Sequence, residues 1–131
     1  MHAATVECEA PAQRSKAVAR GAELLDRGGV VVFPTETVYG VGAAVLNDRG
    51  LQRLREIKQR PAEQPFSVHI PSPDAIERYV DPATQPVLMR LARRTMPGPI
   101  SIIVEVQRDV IAEKLKALGL TADQALRLYH D

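Results

Sequence analysis

Four consecutive apolar residues, Val30-Val31-Val32-Phe33, stand between Gly28-Gly29 and Pro34. The run is too short for a helix and has no polar face, so it reads as a strand buried on both faces. The residues before it follow a different period. Ala17, Val18, Ala22, Leu24 and Leu25 recur at helical spacing between Pro11 and Arg27, and the two glycines stop that helix. A helix leading straight into a buried strand is the building unit of an α/β domain.

The alternation continues along the chain. Residues 34–44 contain Thr, Tyr and small side chains and read as a loop with close backbone packing. Asn47-Asp48 caps a second helix through about Lys58, with Leu51, Leu54 and Ile57 on its inner face. Pro61 blocks its continuation. Phe66–Ile70 is the next expected strand, and Ser72-Pro73 opens a helix with proline at its first position. A helix over 84–94 is expected to bury Val87, Leu88 and Leu91. Pro97-Gly98-Pro99 makes a rigid turn before a third strand, Ile100–Val106. Helices are expected over 110–118 and 121–130, separated by Gly119, with Thr121 and Gln124 as a capping box. The expectation is one α/β domain over residues 1–131.

Composition excludes some classes. Apolar residues make up 45% of 131, enough for a modest core and too many for a disordered tail. No apolar run reaches membrane-spanning length, and no signal peptide is expected at the start. Cys8 is the single cysteine, which rules out an internal disulfide and is compatible with the cytoplasm. The net charge of +1 hides an asymmetry: residues 49–94 carry 9 basic and 5 acidic groups, against 4 and 6 over 1–48. A basic centre suits phosphate or nucleic acid, although Arg49, Arg53 and Arg55 equally suit a solvated helix face.

No GxxxxGK[ST] loop and no GxGxxG motif is present, and no Cys/His cluster has zinc-ligand spacing. What remains is polar side chains beside strand ends, where ligands of open α/β sheets bind. Thr35, Thr37 and Tyr39 follow the first strand; Lys58 and Arg60 flank the end of the second helix; His69 lies in the second strand. Lys58 and Arg60 can neutralise phosphate oxygens, and Thr37 and His69 can hydrogen-bond a small polar ligand. Each also has an ordinary structural use. Thr35 or Thr37 can satisfy loop backbone groups, Tyr39 can be a core aromatic, and cations at a helix C-terminus suit its dipole.

Taken in order, these segments resemble the YrdC/YciO-like family of threonylcarbamoyl-AMP synthases. Phe33-Pro34-Thr35-Glu36-Thr37-Val38-Tyr39-Gly40-Val41-Gly42 is similar to its opening signature, and Lys58-Gln59-Arg60-Pro61 to its Lys-x-Arg-Pro motif. Pro65-Phe66-Ser67-Val68-His69-Ile70 and Pro97-Gly98-Pro99-Ile100-Ser101 are similar to the strand and turn that follow. The likeness spans about residues 14–106 and leaves 107–131 as a diverged tail. It implies a twisted open sheet with flanking helices, here incomplete.

The resemblance also implies an activity: condensation of L-threonine, bicarbonate and ATP to threonylcarbamoyl-adenylate with release of pyrophosphate. That product serves the threonylcarbamoyl-transfer machinery acting on an adenosine of transfer RNA. It implies threonine contacts at Thr37, His69 and Tyr39, and ATP contacts at Lys58, Arg60, Gln64 and Ser101. Lys58 and Arg60 are the implied catalytic residues, and magnesium is implied as cargo of the nucleotide. Gln64 stands for a usual Asn, and Ser101 for a usual Thr.

The family continues with an Arg-x-Pro strand and a Ser-x-Asn motif, and neither follows Val106. A truncated chain, a half-protein completed by a partner, and a diverged binding protein are the three expected explanations. A non-catalytic double-stranded RNA- or nucleotide-binding protein is therefore the alternative. A carbamoyl-adenylate transferase, like the related domain of hydrogenase maturation proteins, is a third. Residues 102–130 also weakly resemble the ribbon-helix-helix of DNA-binding antitoxins. Ile102, Val104 and Val106 are apolar where such a strand needs polar readers, so that reading is set aside.

Overall fold

The computed structural model describes residues 3–61 and 64–129. The chain forms two compact units, Met1–Ala62 and Glu63–Asp131, each with its own helices.

In the first unit, helix α1 covers Pro11–Asp26, with proline in its first turn. It ends in a Schellman turn: the Gly28 N–H donates to Leu25 O at 2.9 Å and the Gly29 N–H to Leu24 O at 2.7 Å. Gly28 sits at φ +75°, where a side chain is unfavourable. Strand β1, Val31–Phe33, pairs antiparallel with β2, Gly40–Gly42, in the register Phe33↔Gly40. Helix α2 covers Asp48–Lys58 and buries Gly50 and Leu54.

Asn47 ties these elements together. Its Oδ1 accepts from the Gly50 N–H at 3.1 Å as the N-cap of α2, and its Nδ2 donates to Asp26 O of α1 at 3.1 Å. A Cβ on Gly28 would lie 2.6 Å from Asn47 Oδ1, so only glycine lets the two helix ends meet this way.

Four expectations are corrected here. The segment 34–44 is not all loop, because Gly40–Gly42 forms β2. Glycines hid this strand, since they carry no β-propensity. Val32 is 62% exposed, so β1 is not buried on both faces. A two-stranded sheet does not supply cover for both. Helix α1 forms where its period predicts, but it buries no residue, and Val18 and Leu24 are exposed. On α2, Leu54 is inward and 4% exposed, whereas Ile57 faces solvent.

The second unit contains a 3-10 helix, Pro73–Arg78, and helices α3 (Pro86–Thr95), α4 (Arg108–Leu118) and α5 (Ala122–Leu128). Its core joins Ile76 and Val80 to Leu88, Met89 and Ala92 of α3. Ile70, Ile102, Val104 and Val106 pack against that cluster. The Met96–Pro97 peptide bond is cis. Gly119, at φ +64°, terminates α4, and Thr121 with Gln124 forms the expected capping box. The last residue expected in that helix, His130, lies outside the described residues.

The segments 66–70 and 100–106 are not strands. Neither has a ladder partner among the described residues, and a strand exists only by pairing. The period-2 pattern of 100–106 nevertheless survives: Ile102, Val104 and Val106 turn toward the core, and Ile103 is 100% exposed. On α3, Val87 and Leu91 are exposed, contrary to expectation, and Met89 and Ala92 join Leu88 inside. The buried stripe is thus one position round from the expected one. The segment opened by Ser72-Pro73 winds as a 3-10 rather than an α-helix.

Candidate functional site

Residues 34–39 form a loop closed by the Phe33–Gly40 pair. The Phe33 ring lies over the closure, 2.7 Å from where a Cβ of Gly40 would be, which excludes larger residues there. Thr35 organises the loop from within. Its Oγ1 accepts from the Thr37 N–H at 3.3 Å and the Val38 N–H at 3.2 Å, and donates to Val38 O at 2.5 Å. The Thr37 hydroxyl lies 3.3 Å from it. These bonds turn Thr37, Val38 and Tyr39 outward; Tyr39 is 77% exposed. Tyr39 is therefore not a core aromatic, and its ring and hydroxyl are available to a ligand.

Lys58 is the last residue of α2 and is exposed. The helix closes in a second Schellman turn, with Gln59 N–H donating to Glu56 O at 3.2 Å and Arg60 N–H to Arg55 O at 3.0 Å. Gln59 takes φ +49°, left-handed for a residue with a side chain. Arg55 Nη1 donates to Pro61 O at 2.8 Å and fastens the turn. Lys58 and half-buried Arg60 thus flank one rigid turn at the carbonyl end of a helix, where cations are favoured. Both are side-chain types that suit oxyanions: a lysine as a point charge, an arginine through its planar fork.

The structure thus brings Thr35, Thr37 and Tyr39 together in one loop, and Lys58 and Arg60 at one helix end. Gln64, His69 and Ser101 belong to the second unit, where all three are exposed on non-helical segments. Sequence reasoning missed Gln59 and the bridging role of Asn47. Pro61 signalled the helix stop, but no glycine marked the left-handed residue. Among the described residues, no group of three His, Cys, Asp or Glu is placed to hold a metal. No helix is long and apolar enough to cross a membrane among the described residues.

The chain is similar in sequence to known proteins. The Sua5-YciO-YrdC family, described as telomere recombination, matches residues 23–124. The chain is 35% identical over 100 residues to the threonylcarbamoyl-AMP synthase of Bacillus subtilis, covering 76% of this chain and 29% of that protein. It is 39% identical over 83 residues to that of Pyrococcus abyssi, 63% of this chain and 24% of the relative. Against that of Xanthomonas axonopodis it is 35% identical over 88 residues, 66% of this chain and 47% of the relative. The chain therefore spans less than half the length of each. No solved structure matches it.

Proposed function

The chain belongs to the Sua5-YciO-YrdC family, and from that premise we propose that it acts in threonylcarbamoyl-AMP synthesis. In this reading the amine of L-threonine and bicarbonate form a carbamate with loss of water, and the carbamate then joins the α-phosphate of ATP as pyrophosphate leaves. Thr37, Tyr39 and His69 bind threonine; Lys58 and Arg60 bind ATP phosphates; Gln64 and Ser101 contact the nucleotide. The structural observation that carries the reading is the Thr35-held loop, which turns a hydroxyl and a phenol outward just after β1.

The chemistry asks little covalent work of the protein. A threonylcarbamate oxygen bonds to the α-phosphorus as the bond to pyrophosphate breaks. Negative charge builds on the departing pyrophosphate, and Lys58 and Arg60 offset it. Holding the carbamate beside the phosphorus supplies the remainder, as positioning does in acyl and phosphoryl transfer generally. Magnesium, bound to the phosphates, would add Lewis-acid neutralisation. The product would pass to the machinery that modifies an adenosine of transfer RNA, in the cytoplasm. The twisted open sheet of the family and its cleft belong to this same proposal.

The test is pyrophosphate release from ATP, measured with and without L-threonine and bicarbonate. Release that requires both is expected. No release, with retained binding of double-stranded RNA, would instead establish the alternative of a binding protein. Lys58→Ala and Arg60→Ala are each expected to weaken ATP binding by about tenfold or more, as loss of a charge-assisted contact does. Thr37→Ala is expected to weaken threonine binding and spare ATP.

A further inference from the structure

A threonine hydroxyl has one proton to donate and two lone pairs to accept with. Thr35 Oγ1 has four polar neighbours for these three places, three of them its own loop backbone and the fourth the Thr37 hydroxyl at 3.3 Å. The proton goes to Val38 O at 2.5 Å, and the lone pairs take the Val38 N–H at 3.2 Å and the Thr37 N–H at 3.3 Å. No directed bond remains for a ligand. Thr37 stands differently: its hydroxyl is exposed, and its contact with Thr35 Oγ1 at 3.3 Å leaves capacity over. The two threonines of one motif thus have opposite chemistry. One is saturated by its own backbone, and the other is open.

We infer that Thr35 is a positioning residue for threonine binding: its saturated hydroxyl fixes the backbone of Thr37 and Val38 so that the Thr37 hydroxyl is presented preformed to the amino-acid substrate. The inference rests on the proposed reading of Thr37 as the threonine contact. Its physical basis is preorganisation. A loop already held in the binding geometry loses less conformational entropy when the ligand arrives. Phe33 closes the loop base with its ring over Gly40, and the hydroxyl network adds order at the tip.

Isosteric Thr35→Val keeps the shape and removes all three bonds, whereas Thr35→Ser keeps the bonds. Titration of the full chain with L-threonine, and separately with ATP, tests the inference. Thr35→Val should raise the threonine Kd by about tenfold, as losing one or two net hydrogen bonds of loop order would, with ATP affinity unchanged. Thr35→Ser should bind threonine like the wild type. Thr35→Val that binds threonine normally while Thr37→Ala does not would overturn the inference and leave the proposed reading intact. Equal losses in both Thr35 variants would also overturn it, because the hydroxyl would not be the cause. A wild type that binds no threonine overturns the reading, and the inference with it. One measurement needs no variant: the Thr37 and Val38 amides should exchange slowly with solvent deuterium, and free-chain rates would refute the hydroxyl network.

Discussion

Gly28→Ala is expected to destabilise the protein by far more than a methyl on a turn would suggest. Two separate effects add. A side chain at φ +75° costs about 1–2 kcal/mol, of which about 0.4–1 kcal/mol is returned because alanine restricts the unfolded chain. The new Cβ would also lie 2.6 Å from Asn47 Oδ1 and 3.3 Å from Arg49 Cβ, so Asn47 must move. Moving it forfeits the α2 cap, worth about 1 kcal/mol, and the bond to Asp26 O, worth about another. The expected net loss is therefore about 2–3 kcal/mol, read as a lowered urea midpoint by circular dichroism with unchanged slope. Repeating the substitution in an Asn47→Ala background separates the effects. There the 2.6 Å collision with Asn47 Oδ1 is gone and only the tight contact with Arg49 Cβ at 3.3 Å stays, so the glycine change should cost only about 1 kcal/mol. A loss below about 0.5 kcal/mol in the native background, the level of an ordinary surface change, would refute the reasoning. Equal costs in the two backgrounds would refute the collision specifically.

Three further outcomes follow from the same geometry. The Tyr129 hydroxyl donates to Tyr79 O at 2.8 Å, and burial, then the Tyr79 charge, pushes its pKa above the usual 10.0. A raised folded pKa means the unfolded chain loses its proton first, so stability is full below about pH 10 and falls as pH climbs through the folded value. Urea midpoints on either side of that window should show the fall, and Tyr129→Phe should shrink it. Gln59→Gly relieves a left-handed side chain within an intact Schellman turn and should stabilise by about 0.5–1 kcal/mol, measured by the same denaturation. Leu88→Ala, in the core of the second unit, should cost about 2–5 kcal/mol, while Ile103→Ser should stay within about 0.5 kcal/mol.

The chain's own punctuation determined much of this. Gly28-Gly29, Asn47, Pro61, Gly119 and Thr121 placed the helix ends to within a residue or so, because caps and left-handed turns are local chemistry written in a few side chains. The ordered segments around Thr37, Lys58 and Arg60 likewise carried the family likeness. Pairing and burial were another matter. Val30–Phe33 looked buried on both faces, yet Val32 is exposed; Phe66–Ile70 and Ile100–Val106 had strand composition, yet no ladder forms along them. β2 was hidden behind two glycines and appeared only through its register with β1. Helix periodicity located α3 but not its inward face, which is set by what packs on it. The same division holds at the candidate site. Sequence supplied two threonines, and only the folded loop showed that Thr35 is saturated by its own backbone and Thr37 is not. The reason is common to all of these: a cap answers to its neighbours along the chain, whereas a strand, a buried stripe or an available hydroxyl is defined by partners that folding brings near.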